Sequence, residues 1–200
     1  MRPAAIHAGL RRLRGERGRF LRSFLSGPGR VGAVLPTSRR TVRATLDMAP
    51  IAGARCVVEL GAGTGPYTRE ILARLGAYGR LLAFELDPAL AAALAKDLPD
   101  PRLEVIADSA AALEARLDGQ RPEVIVSALP FTTLPGALRS EVLEVARKVL
   151  ADGGVMLVLQ YSPFMQRDLE RTFGSVQRTL SPLNVPPAVL FACRPTLPAP

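Results

Sequence analysis

Arg55-Cys-Val-Val-Glu59-Leu-Gly61-Ala-Gly63-Thr-Gly65 decides how the rest of the chain is read. A short apolar run leads into Glu59 and Leu60, and glycines follow at every second position. The run has the length and composition of a strand buried on both faces of a parallel sheet. Glycines at that spacing let the backbone turn sharply and let a ligand lie against bare main chain. Thr64 is the expected N-cap of the next helix, with Pro66 in its first turn, where a missing N–H is no loss. Strand, glycine turn and helix in that order open a nucleotide-type α/β fold.

The same spacing bears on the ligand. A dinucleotide loop reads G-x-G-x-x-G and aims helix N–H groups at a pyrophosphate. Here the third glycine comes one residue early and position 66 is proline. Glu59, two residues before the first glycine, repels a pyrophosphate and suits a cationic ligand. The pattern Glu59-x-Gly61-x-Gly63-x-Gly65 resembles the acidic glycine motif of S-adenosylmethionine-dependent methyltransferases. That cofactor carries an amino group and a sulfonium and has no phosphate.

The chain has 200 residues, 48% of them hydrophobic, enough for one full α/β domain. No apolar run approaches the roughly 18 residues of a membrane span, and no signal peptide is expected. Cys56 and Cys193 fall inside predicted strands and read as small core residues. His7 is the single histidine, which rules out a multi-histidine metal site. Net charge is +8, and residues 1–43 carry 11 arginines against one acid, Glu16. A nearly neutral domain therefore follows a strongly basic segment, and such asymmetry points to an anionic partner.

Within that segment, residues 4–26 read as a basic amphipathic helix. Ile6, Leu10, Leu13, Phe20, Leu21 and Phe24 follow helical spacing, while Arg11, Arg12, Arg19 and Arg22 fall mostly on the other side. Phenylalanine and leucine opposite arginine fit a helix lying on an anionic membrane surface. Gly27-Pro28-Gly29 ends it, and Thr37 or Ser38 caps a second helix over roughly Arg39 to Met48. The expected division is a basic helical arm over residues 1–50 and a ligand-binding domain over residues 51–200.

Beyond Gly65 the chain alternates helix and strand. Tyr67 to Leu75 is the first crossover helix and Leu81 to Glu85 the second strand. Asp87-Pro88 caps and opens the next helix, which leaves Glu85 free at a strand's carboxyl end, where an acid can accept two ribose hydroxyls. Leu103 to Ala107 is the third strand, with Asp108-Ser109 and an alanine-rich helix to about Leu117 beyond it. Glu123 to Ser127 is the fourth and leads into Ser127-Ala128-Leu129-Pro130-Phe131. Leu138 to Leu150 is a helix, Val155 to Gln160 a buried fifth strand, and Pro163 to Thr172 a short helix. Ser175 to Leu180 and Ala188 to Cys193 form a closing hairpin.

The chain as a whole resembles the bacterial phospholipid N-methyltransferases. The residues that carry the resemblance are Phe20-Leu-Arg-Ser-Phe-Leu, Val31-Gly-Ala-Val-Leu-Pro-Thr-Ser38, the glycine motif, Ser127-Ala-Leu-Pro-Phe131 and Asn184-Val-Pro-Pro-Ala188. The resemblance implies a Rossmann-like methyltransferase fold: a seven-stranded, mostly parallel sheet with an antiparallel C-terminal strand, plus an N-terminal amphipathic helix. It implies S-adenosyl-L-methionine as cofactor, held by Glu59, Gly61, Ala62, Gly63, Gly65, Glu85, Leu86, Asp108, Ser109, Ser127, Ala128 and Leu129. It implies a phospholipid substrate, phosphatidylethanolamine, methylated stepwise toward phosphatidylcholine by a cytoplasmic enzyme peripheral on the inner membrane face. Tyr67, Tyr161 or the lipid's own phosphate is the candidate proton acceptor, and Phe131 a candidate aromatic wall for a cationic product. Phe20, Arg22, Phe24, Pro130 and Arg178 are the expected substrate or membrane contacts. The competing enzyme readings are a ribosomal RNA adenine dimethylase-like protein and a methyltransferase for a small soluble amine. Ser127 and Ala128 weaken the first, since neither side chain grips an exocyclic amine as Asn or Asp would.

Overall fold

The computed structural model describes residues 37–182 and 184–196. The chain divides into two units, Met1–Val34 and Leu35–Pro200, and the described residues belong to the second. The amphipathic helix expected over residues 4–26, with Phe20, Arg22 and Phe24, lies outside the described residues.

Seven strands form one sheet. β1 (Cys56–Leu60) is buried at every position, as a strand covered on both faces must be. It pairs in parallel with β2 (Arg80–Phe84) on one side and β4 (Val124–Ser127) on the other. β3 (Leu103–Ile106) adds in parallel to β2, and β5 (Val155–Gln160) to β4. β7 (Ala188–Pro195) returns antiparallel to β5, and β6 (Gly174–Ser181) pairs antiparallel with β7. The order is β3-β2-β1-β4-β5-β7-β6, the mostly parallel sheet closed by a hairpin that the sequence predicts.

Helices cover the sheet because alternate strand residues on each face are apolar. Val57, Leu81, Val124, Val126, Leu157 and Leu190 form one continuous core with α1 (Arg39–Leu46) and α2 (Pro66–Arg74). Val58, Leu82, Ile125, Met156 and Val158, one residue out of phase, are also fully buried. Cys56 and Cys193 belong to this interior, and burial pushes their thiols up to about 11 and about 12. They are core residues, as predicted.

α1 belongs to the domain and not to the basic arm with which residues 1–50 were grouped. Val42 and Leu46, four apart, pack into the core. The Ser38 side chain caps the helix by accepting from the Thr41 amide at 3.2 Å. Arg39 and Arg43, also four apart, donate to the two oxygens of Glu70 on α2 at 2.6 and 3.1 Å. These two guanidinium groups hold the Glu70 carboxyl below its ordinary range. Thr45 and the Tyr67 hydroxyl share a buried bond of 3.1 Å.

Two local expectations change. The N-cap of α2 is Gly65 and not Thr64. Gly65 takes φ +83°, a left-handed conformation in which a side chain is strained, and a Cβ there would collide with Leu94. The alanine-rich helix shrinks to a 3₁₀ turn, Ala110–Ala112, and one short helix, α4 (Leu113–Arg116). Asp118 and Gly119, both at positive φ, reverse the chain directly afterwards. Between β2 and β3, α3 (Pro88–Asp97) starts as predicted, with Asp87 accepting from the Ala89 and Leu90 amides. α5 (Gly136–Val149) and α6 (Gln166–Phe173) complete the helices.

Leu46→Ala tests the place of α1. A helix in the core loses about 2–5 kcal/mol on such a truncation. A helix packed on nothing loses less than about 0.5 kcal/mol. Urea unfolding is expected to return the larger value.

Candidate active site

The strand order reverses between β1 and β4, and an open α/β sheet takes its ligand at that crevice, beyond the carboxyl ends of the strands. Main-chain bonds shape the crevice. The amides of Gly61 and Ala62 both donate to the Phe84 carbonyl, at 2.9 and 3.0 Å, and tie the glycine turn to the end of β2. Across the crevice, the Ala128 amide donates to the Leu60 carbonyl at 3.2 Å. Gly61, at φ +81°, faces Leu129 so closely that a Cβ would stand 2.9 Å from Leu129 Cδ2. Gln160, the polar end of β5, donates its amide nitrogen to the Leu129 carbonyl at 2.8 Å and pins the loop after β4.

Two carboxylates serve the crevice in different ways. Glu85 bridges two backbone amides: Oε2 accepts from Gly63 at 2.8 Å and Oε1 from Asp87 at 2.8 Å. It is half-buried over the glycine turn, and each oxygen keeps a second lone pair for a ligand hydroxyl. Glu59 is only 1% exposed. Its Oε2 accepts from Thr68 Oγ1 at 2.7 Å, while Oε1 is buried with no hydrogen-bond partner. Burial raises the Glu59 pKa to about 7, against the Thr68 bond that lowers it, and Glu85 adds to the rise. A buried acceptor left open beneath the turn is a seat for a donor, best a cationic one.

The remaining predicted cofactor residues divide. Ala62 is buried under the turn, while Leu86, Ala128 and Leu129 are half-buried around it. Ser127 is buried, and its hydroxyl turns back to accept from the Leu129 amide at 3.4 Å. Asp108 is drawn aside. Its Oδ2 takes both Nε and Nη2 of Arg116, at 3.1 and 2.7 Å, and its Oδ1 takes the Ser109 amide. Ser109 caps the following turn. The resemblance implies that Asp108 contacts the cofactor's adenine amino group, which would share the carboxylate with Arg116.

Of the three residues proposed for chemistry, only Tyr161 stands at the rim. It follows β5 directly, and its hydroxyl lies 3.4 Å from Thr37 Oγ1. Tyr67 is buried, bonded to Thr45, and burial raises its phenol above the ordinary value, so it is a post between α1 and α2. Phe131 is fully buried and offers no face to a cation. Pro130 stays half-exposed. Arg178 sits on β6, at the sheet edge farthest in strand order from β3, and bonds Gln166 at 2.8 Å.

Several contributors escaped the sequence reading. Thr68 and Gln160 carried a weak signal as polar residues in buried runs. The junction of Ser38 and Asn184 carried none, since 146 positions separate them. The Ser38 amide donates to Asn184 Oδ1 at 3.0 Å, and Asn184 Nδ2 donates to the Pro186 carbonyl at 2.8 Å. Thr41 and Ser181 share a buried bond of 2.9 Å beside it. Ser38 and Asn184, each from a stretch that carries the family resemblance, therefore meet at the rim, next to Tyr161.

Comparison with known proteins agrees with this geometry. Residues 57–154 match the family model of a methyltransferase domain. The chain is 31% identical over 180 residues to an ornithine lipid N-methyltransferase of Singulisphaera acidiphila, covering 88% of this chain and 94% of that protein. It is similar to the structure of a T. thermophilus 16S rRNA methyltransferase in complex with AdoMet and guanosine, at 28% identity and a TM-score of 0.60, covering 82% of this chain and 44% of that one. The precorrin-6y C5,15-methyltransferase of Geobacter metallireducens superposes with a TM-score of 0.65 at 15% identity, over 83% of this chain and 93% of that one. That last likeness is one of fold alone. The residues present fit S-adenosylmethionine: Glu59 Oε1 would take a donor such as its ammonium, and Glu85 would take the ribose hydroxyls.

Glu85→Ala is expected to weaken S-adenosylmethionine binding by about 1.5–3 kcal/mol, roughly 10- to 150-fold in Kd by calorimetry. Glu59 predicts a pH signature. Its folded pKa lies above the unfolded value, so its contribution to stability is full below about 4.5 and is lost as pH rises through about 7. Without cofactor, the wild-type Tm falls over that window and the Glu59→Gln curve is flatter. Cofactor affinity of the wild type rises through the same window, and that of Glu59→Gln does not.

Proposed function

Because the chain belongs to the lipid N-methyltransferase family of S-adenosylmethionine-dependent enzymes, we propose that it methylates the headgroup amine of phosphatidylethanolamine at a membrane surface, stepwise toward phosphatidylcholine. The observation that carries this reading is the relative itself, a lipid N-methyltransferase matched over 94% of its length. The rim supports it. Thr37 and Ser38 are joined to Tyr161 and Asn184, and the strongly basic segment precedes Thr37 in the chain. On this reading the enzyme works on the cytoplasmic face of the membrane.

When bound, S-adenosylmethionine supplies an electrophilic methyl group to the amine. Glu85 and Glu59 would hold the cofactor, one carboxylate over the glycine turn and one beneath it. Ala128, Leu129 and Pro130 line the approach with apolar surface and keep water from the reacting centre. The substrate nitrogen attacks with its lone pair, so it must arrive without its extra proton. Tyr161 Oη is the rim hydroxyl able to accept an N–H hydrogen bond and orient that lone pair. Each methylation would form one N–C bond as the methyl's bond to the sulfonium sulfur breaks and leaves a neutral thioether, and the nitrogen gives up one proton per methyl gained. The absence of Asn, Asp or Glu from Ser127 to Pro130 leaves an exocyclic base amine with no polar grip, which disfavours RNA.

The test uses methyl-labelled S-adenosylmethionine with vesicles of phosphatidylethanolamine and an anionic lipid, and products are read by mass spectrometry. Label is expected on the ethanolamine headgroup, in steps of one methyl. Label on ornithine lipid alone, under parallel conditions, would move the substrate to that lipid. Label only on ribosomal RNA would overturn the reading.

A further inference from the structure

Among the described residues, large apolar side chains stand exposed at few places. Three of them, Phe164 (84% exposed), Val185 (71%) and Leu180 (62%), come from segments around the carboxyl end of β5. Phe164 lies in the 3₁₀ turn Pro163–Met165 that follows β5, where its amide donates to Ser162 Oγ at 3.2 Å. Leu180 is the penultimate residue of β6, in register with Val189 near the start of β7. Val185 lies in the connection between those strands, next to Asn184.

Hydrogen bonds relate the three to one another and to the rim. The Arg178 guanidinium donates to Gln166 Oε1 and ties β6 to the segment carrying Phe164. Leu180 is two residues beyond Arg178, on the same face of β6 and nearer the mouth. Asn184 holds the Ser38 amide, which sets Val185 beside the rim that Thr37 and Tyr161 form. The tips therefore stand on structure that the site itself fixes.

Charge identifies the occupant. Residues 161–167 and 174–188, which carry the three tips, contain Arg167 and Arg178 and not one Asp or Glu. Both arginines are exposed. Apolar tips flanked by arginine and free of acid match an anionic lipid surface, where the tips enter the interfacial layer and the guanidinium groups meet headgroups. We infer that Phe164, Leu180 and Val185 form a membrane contact of the folded domain itself, distinct from the basic arm, which turns the mouth of the site toward the headgroups of an anionic bilayer. This rests on the lipid reading above.

The sequence contains no tryptophan, so Phe164→Trp places a single indole at the tip. With vesicles of phosphatidylcholine and phosphatidylglycerol, its emission is expected to shift to the blue and to be quenched by lipids brominated high in the acyl chain. Tyr78→Trp is the control: Tyr78 is 98% exposed just before β2, at the opposite end of the strands. Its emission is expected to stay that of an indole in water while the same protein is vesicle-bound. An unshifted Phe164→Trp spectrum on protein that sediments with vesicles overturns the inference. So does a blue spectrum before vesicles are added, which would mean the chain covers its own tips, and so does failure to sediment at all. The double variant Leu180→Ser/Val185→Ser separates this failure from that of the substrate reading. It is expected to keep turnover on monomeric short-chain phosphatidylethanolamine and to lose about 10- to 100-fold on vesicles. Equal turnover of variant and wild type on vesicles overturns the contact and leaves the substrate standing. No turnover by the wild type on either substrate form overturns the substrate reading.

Discussion

A carboxylate held out of water at the end of the central strand is the constraint around which this domain is built. Glu59 sits in β1 between two apolar neighbours and beneath α2, where ionisation is penalised and one oxygen goes unpaired. Left alone, such a group weakens the fold. It is tolerable because the surroundings are over-determined. Thr68 holds one oxygen, Tyr67 and Thr45 lock α2 to α1, and the paired bonds of Arg39 and Arg43 to Glu70 repeat that lock at the surface. The helices that bury Glu59 are thus clamped to each other independently of it. The unpaired oxygen stays available for a ligand without loosening its own support.

The rest of the crevice is built mainly from backbone, and that explains how little side-chain chemistry it needs. The glycine turn hangs from the Phe84 carbonyl, Glu85 reaches back to the Gly63 amide, and Gln160 fixes the Leu129 carbonyl. Each bond joins the end of one strand to its neighbour, so the crevice inherits the rigidity of the sheet. Methyl transfer to an amine asks for in-line approach and exclusion of water more than for an acid or a base. A stiff, mainly apolar wall after β4 meets that demand. The one hydroxyl in it, on Ser127, is spent on the loop's own amide.

Much of this was legible in the chain because the signals were local. Strands buried on both faces read as unbroken apolar runs, and Asp87-Pro88 announced a helix start that left Glu85 free. Where the reading failed, the deciding contact was distant in sequence. Tyr67 and Phe131 have the chemistry of a site and became core, because burial depends on which helices fold over them. In sequence, the arginines of α1 read like those of the basic stretch before it. Only its pairing with Glu70 shows that Arg39 and Arg43 serve the domain. Asp108 stood at the expected strand end, yet Arg116, eight residues later, claims one of its oxygens.

The meeting of Ser38 with Asn184 makes the rim a joint between the two ends of the described chain, and this has a consequence for how substrate is selected. A site for a soluble amine profits from walls that surround the whole molecule. Here the cofactor crevice is defined by β1, β2 and β4, whereas the rim beside Tyr161 is made from the start of α1 and the loop before β7. The two are fixed by separate bonds. On the proposed reading, the substrate brings its amine to the methyl group past the segments that carry Phe164, Leu180 and Val185. An amphiphile whose tails remain in a bilayer meets that geometry without being enclosed. Recognition can then rest on the surface that presents the amine, with few contacts to the amine itself.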